Sequence, residues 1–169
     1  MYTFFRELPL LLVAAVLVAF LLKTFVVQPF WVPTGSMIPT IMPNDRVLAL
    51  KFIYRFTEPK PGDIVVFLPP NGENKDYIKR VVAVSGQRIK IIDGIVYING
   101  KPLKEDYLHP EYFDSGSMPE IVVPKDHVFV MGDNRPNSLD SRVFGPIPEK
   151  SIIGKAIMIY WPLYRIRFF

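Results

Sequence analysis

The sequence contains no cysteine among its 169 residues. This excludes disulfides, thiolate nucleophiles, cysteine-type zinc sites and iron–sulfur clusters. Histidine is scarce: His109 precedes Pro110 in a turn-rich stretch, and His127 opens an apolar run. Neither has the neighbours of a Ser-His-Asp triad, and two isolated histidines do not make a metal site. There is no dense Lys/Arg block and no helix-turn-helix pattern, which speaks against nucleic-acid binding. Beyond residue 27 no amphipathic run reaches helical length, and 17 prolines and 10 glycines disfavour a helical bundle. No cofactor and no metal are expected.

What is present is apolar: 50% of the residues are hydrophobic and 14% aromatic, with a formal net charge of +4. The positive balance serves solubility or attracts anionic lipid headgroups. Leu8–Leu22 carries no charge, and Pro9 sits near its start, where a helix tolerates proline. Fifteen residues rise only about 22 Å, short of the roughly 30 Å hydrocarbon core, but Phe25, Val26 and Val27 extend the run past Lys23. A lysine near a helix end snorkels to the interface, and Phe30 and Trp31 follow where an aromatic belt would lie. A cleavable leader is the rival reading, but no small-x-small site follows Leu22. The expectation is a retained transmembrane anchor over 1–27, with a cytoplasmic N-terminus by the positive-inside rule.

The body, 28–169, changes to short β-branched runs broken by Gly, Pro, Asn and Asp. Strands are predicted over Arg46–Leu50, Asp63–Leu68, Tyr77–Val84, Arg88–Ile92, Ile95–Ile98, His127–Met131 and Ala156–Trp161. Asp93-Gly94 marks a hairpin and Asn99-Gly100 a second turn. The fold class is mainly β, in antiparallel sheets, with a small β excursion at about 86–124.

Three segments can carry chemistry. Pro33-Thr34-Gly35-Ser36-Met37-Ile38-Pro39 brackets a Gly-Ser pair with prolines, which can fix a hydroxyl beside backbone donors or simply make a turn. In Asp76-Tyr77-Ile78-Lys79-Arg80-Val81, Lys79 shares a strand face with apolar neighbours. Desolvation there can lower its pKa towards a usable base, unless it is an edge lysine that blocks aggregation. Arg80 on the other face cannot be the base, because guanidinium stays protonated. Gly132-Asp133-Asn134-Arg135-Pro136-Asn137-Ser138-Leu139-Asp140-Ser141-Arg142 is either a set of local Asx turns or a polar network around an active amine.

Together and in this order, the segments resemble the bacterial type I signal peptidases, the leader-peptidase family of Ser/Lys proteases. The blocks are PTGSMIPT, NDRVLALKF, PGDIVVF, DYIKRVVAVSGQ, GDNRPNSLDSRVFG and the ending IIGKAIMIYWP. The resemblance implies Ser36 as nucleophile and Lys79 as general base. It implies the Ser36 N–H and the Thr34 hydroxyl as oxyanion hole, and Ser138 as the group that orients the lysine. Asp140, Arg142 and Asp133 would give structural support. Phe30, Val32, Met37, Val47, Val66, Tyr77 and Ile78 would line shallow pockets for small side chains. Threonine stands at 34 where many members have serine, and Pro136 where the box more often has aspartate. The implied partners are signal-peptide-bearing preproteins and membrane lipids. The implied location is the bacterial cytoplasmic membrane, single-pass, with the catalytic domain on the outer face. Two alternatives remain open: another Ser/Lys protease, such as a pilus maturation peptidase or a self-cleaving repressor, and a catalytically inactive membrane-anchored module that binds preproteins.

Overall fold

The structure is a computed structural model that describes residues 8–9, 11–17, 26–70 and 72–169. Residues 8–9 and 11–17 are helical and exposed. Among the described residues, no helix is long and apolar enough to cross a membrane. Most of the anchor expected over 1–27 lies outside the described residues. Its end is corrected by the structure: Val27 pairs with Leu50 and opens a strand.

The strands, in chain order, are β1 (Val27–Trp31), β2 (Arg46–Leu50), β3 (Ile64–Phe67), β4 (Tyr77–Val84), β5 (Arg88–Ile92), β6 (Ile95–Ile98), β7 (Lys101–Pro102), β8 (Met118–Val122), β9 (His127–Met131), β10 (Ile147–Pro148), β11 (Ile152–Trp161) and β12 (Arg167–Phe168). The main sheet runs β1-β2-β11-β3-β4-β9-β10, with β12 also on β11. The second sheet runs β7-β6-β5-β8 and is the expected excursion. All pairings are antiparallel.

Position in the sheet explains the patterning. Central β3 is buried at every residue, as is β4 from Ile78 to Ala83; β3 reads as a continuous apolar run, and β4 does so apart from Lys79 and Arg80. β2 alternates in and out with period two. Asp93 and Gly94, both at positive φ (48° and 78°), turn β5 into β6. A Cβ on Gly94 would lie 1.9 Å from the Asp114 carbonyl, so only glycine fits there. β11 begins four residues before its predicted start, because Ile152, Gly154 and Lys155 pair with β3. The excursion shares its core with the main sheet: Val82, Ala83, Phe129 and Met131 pack with Ile89, Ile91, Val96 and Val123. A second cluster, including Val32, Met37, Ile41, Val47, Val66 and Ile78, lies under the β1–β2 connection. That connection carries Ser36.

Candidate active site

The connection from β1 to β2 is closed at its ends by Val32 N–H to Asp45 O at 3.0 Å and Asn44 N–H to Val32 O at 2.7 Å. Met37 and Ile41 anchor it, both without exposed surface. Burying two such side chains contributes several kcal/mol, on the order of 1.5–3 each, and holds the backbone that follows Ser36. Ser36 itself is 7% exposed. Its carbonyl and that of Gly35 accept from Asn134, through the backbone N–H at 3.0 Å and Nδ2 at 2.9 Å. No backbone acceptor among the described residues takes the Ser36 N–H.

Lys79 stands on β4 opposite Val65 and is 4% exposed. Its Nζ donates to Ser36 Oγ at 2.8 Å and to the Ile78 carbonyl at 3.0 Å, and lies 5.2 Å from the Tyr77 ring centroid. Burial brings its pKa down to about 8; Asp140 and then Asp133 pull the other way and do not prevail. The Ser36 hydroxyl and a weakly basic amine are therefore in hydrogen-bond contact.

The Gly132–Arg142 loop surrounds this pair. Asp133 takes a fork from Arg80, Nε to Oδ1 at 2.9 Å and Nη2 to Oδ2 at 2.7 Å, and also accepts from Thr40 Oγ1. Asp140 takes a second fork from Arg142, both bonds at 2.9 Å, and accepts from the Gly132 N–H at 3.0 Å. Burial works against the Asp140 carboxylate, but Arg142 and the Gly132 N–H outweigh it and hold the pKa below its ordinary value. Asp140 also caps the short helix α1 (Ser141–Phe144) through the Arg142 N–H. Gly132 permits a close approach: a Cβ there would lie 2.3 Å from Ser138 Oγ and 2.5 Å from Ser36 O. Pro136 is exposed within a 3-10 turn, Arg135–Asn137.

Three sequence expectations need correction or refinement. Ser138 Oγ is buried and makes no hydrogen bond to the amine, whose bonds in this structure go to Ser36 Oγ and the Ile78 carbonyl. Met37 and Val47, expected to line substrate pockets, have no exposed surface and belong to the core beneath. Arg80, set aside because it cannot be a base, is buried and ties β4 to Asp133. The other expected lining residues do converge. An open groove of about 690 Å³ is lined by Phe30, Val32, Val66, Tyr77 and Ile78, with Thr34, Ser36 and Lys79 in its wall. Asn137 and Leu139 line it too, and no signal in the sequence marked them. Among the described residues, no group of three or more His, Asp or Glu is arranged to hold a metal ion. His127 Nδ1 faces Lys125 O and His109 Nδ1 accepts from the Glu111 N–H, so each is engaged locally.

Comparison with known proteins adds to this geometry. The family model described as signal peptidase, peptidase S26, matches residues 5–161. The chain is 43% identical over 174 residues to a probable signal peptidase I-1 of Synechocystis sp., covering 97% of this chain and 86% of that protein. It is 39% identical over 160 residues to signal peptidase I of Leptolyngbya laminosa, covering 90% and 77%. It is 39% identical over 168 residues to signal peptidase I P of Bacillus subtilis subsp. natto, covering 93% and 89%. A crystal structure of a signal peptidase I from Enterococcus faecalis V583 superposes with a TM-score of 0.51 at 30% identity, over 59% of this chain and 97% of that one.

Proposed function

Since this chain belongs to the signal peptidase family, peptidase S26, we propose that it removes N-terminal signal peptides from preproteins with Ser36 as nucleophile and Lys79 as general base. The observation that carries the assignment is the 2.8 Å contact between Lys79 Nζ and Ser36 Oγ. With a pKa near 8, roughly one amine in ten is neutral at pH 7. The neutral amine takes the Ser36 proton as Oγ attacks the scissile carbonyl. The Ser36 N–H and the Thr34 hydroxyl then meet the oxyanion, a role supported by the unclaimed N–H and by Thr34 on the groove wall. The ammonium returns its proton to the leaving amine. The acyl-enzyme is hydrolysed when the neutral amine activates a water molecule. Ser138, whose hydroxyl is buried without a partner, is assigned the orientation of the amine once it is neutral. Asp133, Asp140 and Arg142 hold the surrounding loop.

Placement at the membrane follows the same reading. The catalytic body begins at β1 and the anchor precedes it, so Ser36 lies nine residues beyond Val27, at most about 30 Å of chain. Trp31, Tyr164 and Phe168 are 62%, 88% and 71% exposed, and exposed Arg167 adjoins Phe168, which suits an interfacial surface facing lipid headgroups. The assigned topology is single-pass in the cytoplasmic membrane, with the N-terminus inside and the catalytic body outside.

The test is incubation with a preprotein in detergent, followed by mass determination of the new N-terminus. One cut after a small-x-small sequence is expected, and none with Ser36→Ala. A preprotein-binding module without activity would retain the preprotein uncut. Wild-type cleavage by Ser36→Ala would refute the assignment.

A further inference from the structure

The excursion does more than extend the sheet. Its segment 103–107 alternates, with Leu103, Glu105 and Tyr107 partly covered and Lys104 and Asp106 exposed. Leu103 packs on the core shared with β4 and β9 and donates its N–H to Val96 O at 2.8 Å. Lys104 and Asp106 pair with each other at the surface. From this pinned position the two inward polar side chains reach the site. The Tyr107 ring covers the Arg80 guanidinium, Cζ lying 3.9 Å from the ring centroid. The Tyr107 hydroxyl donates to Glu105. Glu105 in turn receives Arg135 through both terminal nitrogens, with only 3% of the arginine side chain and 9% of the glutamate side chain exposed.

The two arginines lead to the reacting pair by separate routes. Arg80 adjoins Lys79 on β4 and forks onto Asp133, which also holds Thr40 of the Ser36 connection. Arg135 Nε donates to Gly132 O at 3.0 Å, at the glycine packed against Ser36 and Ser138. The charges that face this region are Arg80 from β4, Asp133, Arg135, Asp140 and Arg142 from the 132–142 loop, and Glu105 and Asp114 from the excursion. We propose that Glu105 and Tyr107 are positioning residues for the Ser36–Lys79 pair, clamping β4 and the 132–142 loop in one arrangement against the Ser36 connection. A stacked, desolvated guanidinium and a buried bidentate pair are directional contacts, and small losses of alignment at a nucleophile–base pair cost rate.

The proposal rests on the Ser36–Lys79 reading, and its test separates the two. Preprotein cleavage by the full chain in detergent is followed against pH for Tyr107→Leu, Tyr107→Phe, Glu105→Gln and Lys79→Ala. Rates are expressed per folded enzyme by circular dichroism. Tyr107→Leu uncovers Arg80 and loosens its neutralisation of Asp133. Its kcat is expected to fall on the order of 10-fold or more with KM nearly unchanged. Its rising limb should move to higher pH, because a freer Asp133 favours the ammonium. Tyr107→Phe keeps the ring and should recover most of kcat. Glu105→Gln leaves the Arg135 charge without its carboxylate, so kcat falls and the limb moves to lower pH. Inactive Lys79→Ala beside a Tyr107→Leu or Glu105→Gln enzyme of wild-type kcat and limb would overturn the clamp alone. Active Lys79→Ala would overturn the underlying pair. A variant that loses activity only in proportion to its folded fraction also counts against positioning.

Discussion

Lys79 is an ammonium precursor placed where an ammonium is poorly tolerated, 4% exposed and 2.8 Å from a serine hydroxyl. Its folded pKa of about 8 lies below the ordinary 10.5, so the unfolded chain holds more protons between those values and native stability rises with pH through that window. Below pH 8 both states are protonated and the full penalty stands, up to about 3 kcal/mol for a shift of this size. Lys79→Met is therefore expected to raise the denaturant midpoint at pH 7, with the gain fading between pH 8 and 10.5. The same variant is inactive. Ser36→Ala and Lys79→Ala should each abolish cleavage, and the double variant should be hardly worse, because the two act as a unit. Lys79→Arg should be dead as well, since arginine supplies no neutral base. Thr34→Ser should stay active. Thr34→Val should lose on the order of 10²-fold in kcat at nearly constant KM; an unchanged kcat would remove Thr34 from the oxyanion hole.

At the scale of elements, close approach decides what is allowed. Gly132 lets the loop after β9 touch both Ser36 O and Ser138 Oγ. Gly132→Ala should destabilise by about 1–3 kcal/mol, read from urea unfolding, and should depress kcat more than KM. Much of this level was legible beforehand. β2, β4, β5, β6 and β9 fall where alternation and the Asp93-Gly94 turn place them. The paired strands β7, β8, β10 and β12 were not, because two-residue bridges such as Ile147–Pro148 carry no period, and Met118–Val122 contains Pro119. Val27–Trp31 was not legible as a strand, because Val27 suits the end of an anchor and Phe30 and Trp31 suit an aromatic belt as well as an edge strand. The Ser36–Lys79 contact was legible through ordered motifs. Glu105 and Tyr107 were not, because their roles depend on Arg80 and Arg135, which sequence separation hides. Met37 and Val47 show the reverse failure: the family resemblance implies a pocket, while strand alternation and loop packing draw both into the core.

For the whole molecule, the site depends on the main sheet and three of its connections meeting at one groove. Removing residues 1–25 spares β1, whose first residue is Val27. The truncated enzyme should keep its fold and its rate on short peptides but cut vesicle-embedded preprotein more slowly, because confinement to one surface raises effective concentration. Equal rates on vesicles would contradict tethering. The pKa of Lys79 integrates the entire packing, since burial from the surrounding core lowers it while Asp140 and Asp133 oppose the change. The dependence of kcat/KM on pH for the wild-type chain therefore tests the account most directly. A rising limb near pH 8, absent in Lys79→Ala, is expected from a buried amine acting as base. A limb near pH 4–5, in the range of a carboxylate, would contradict it.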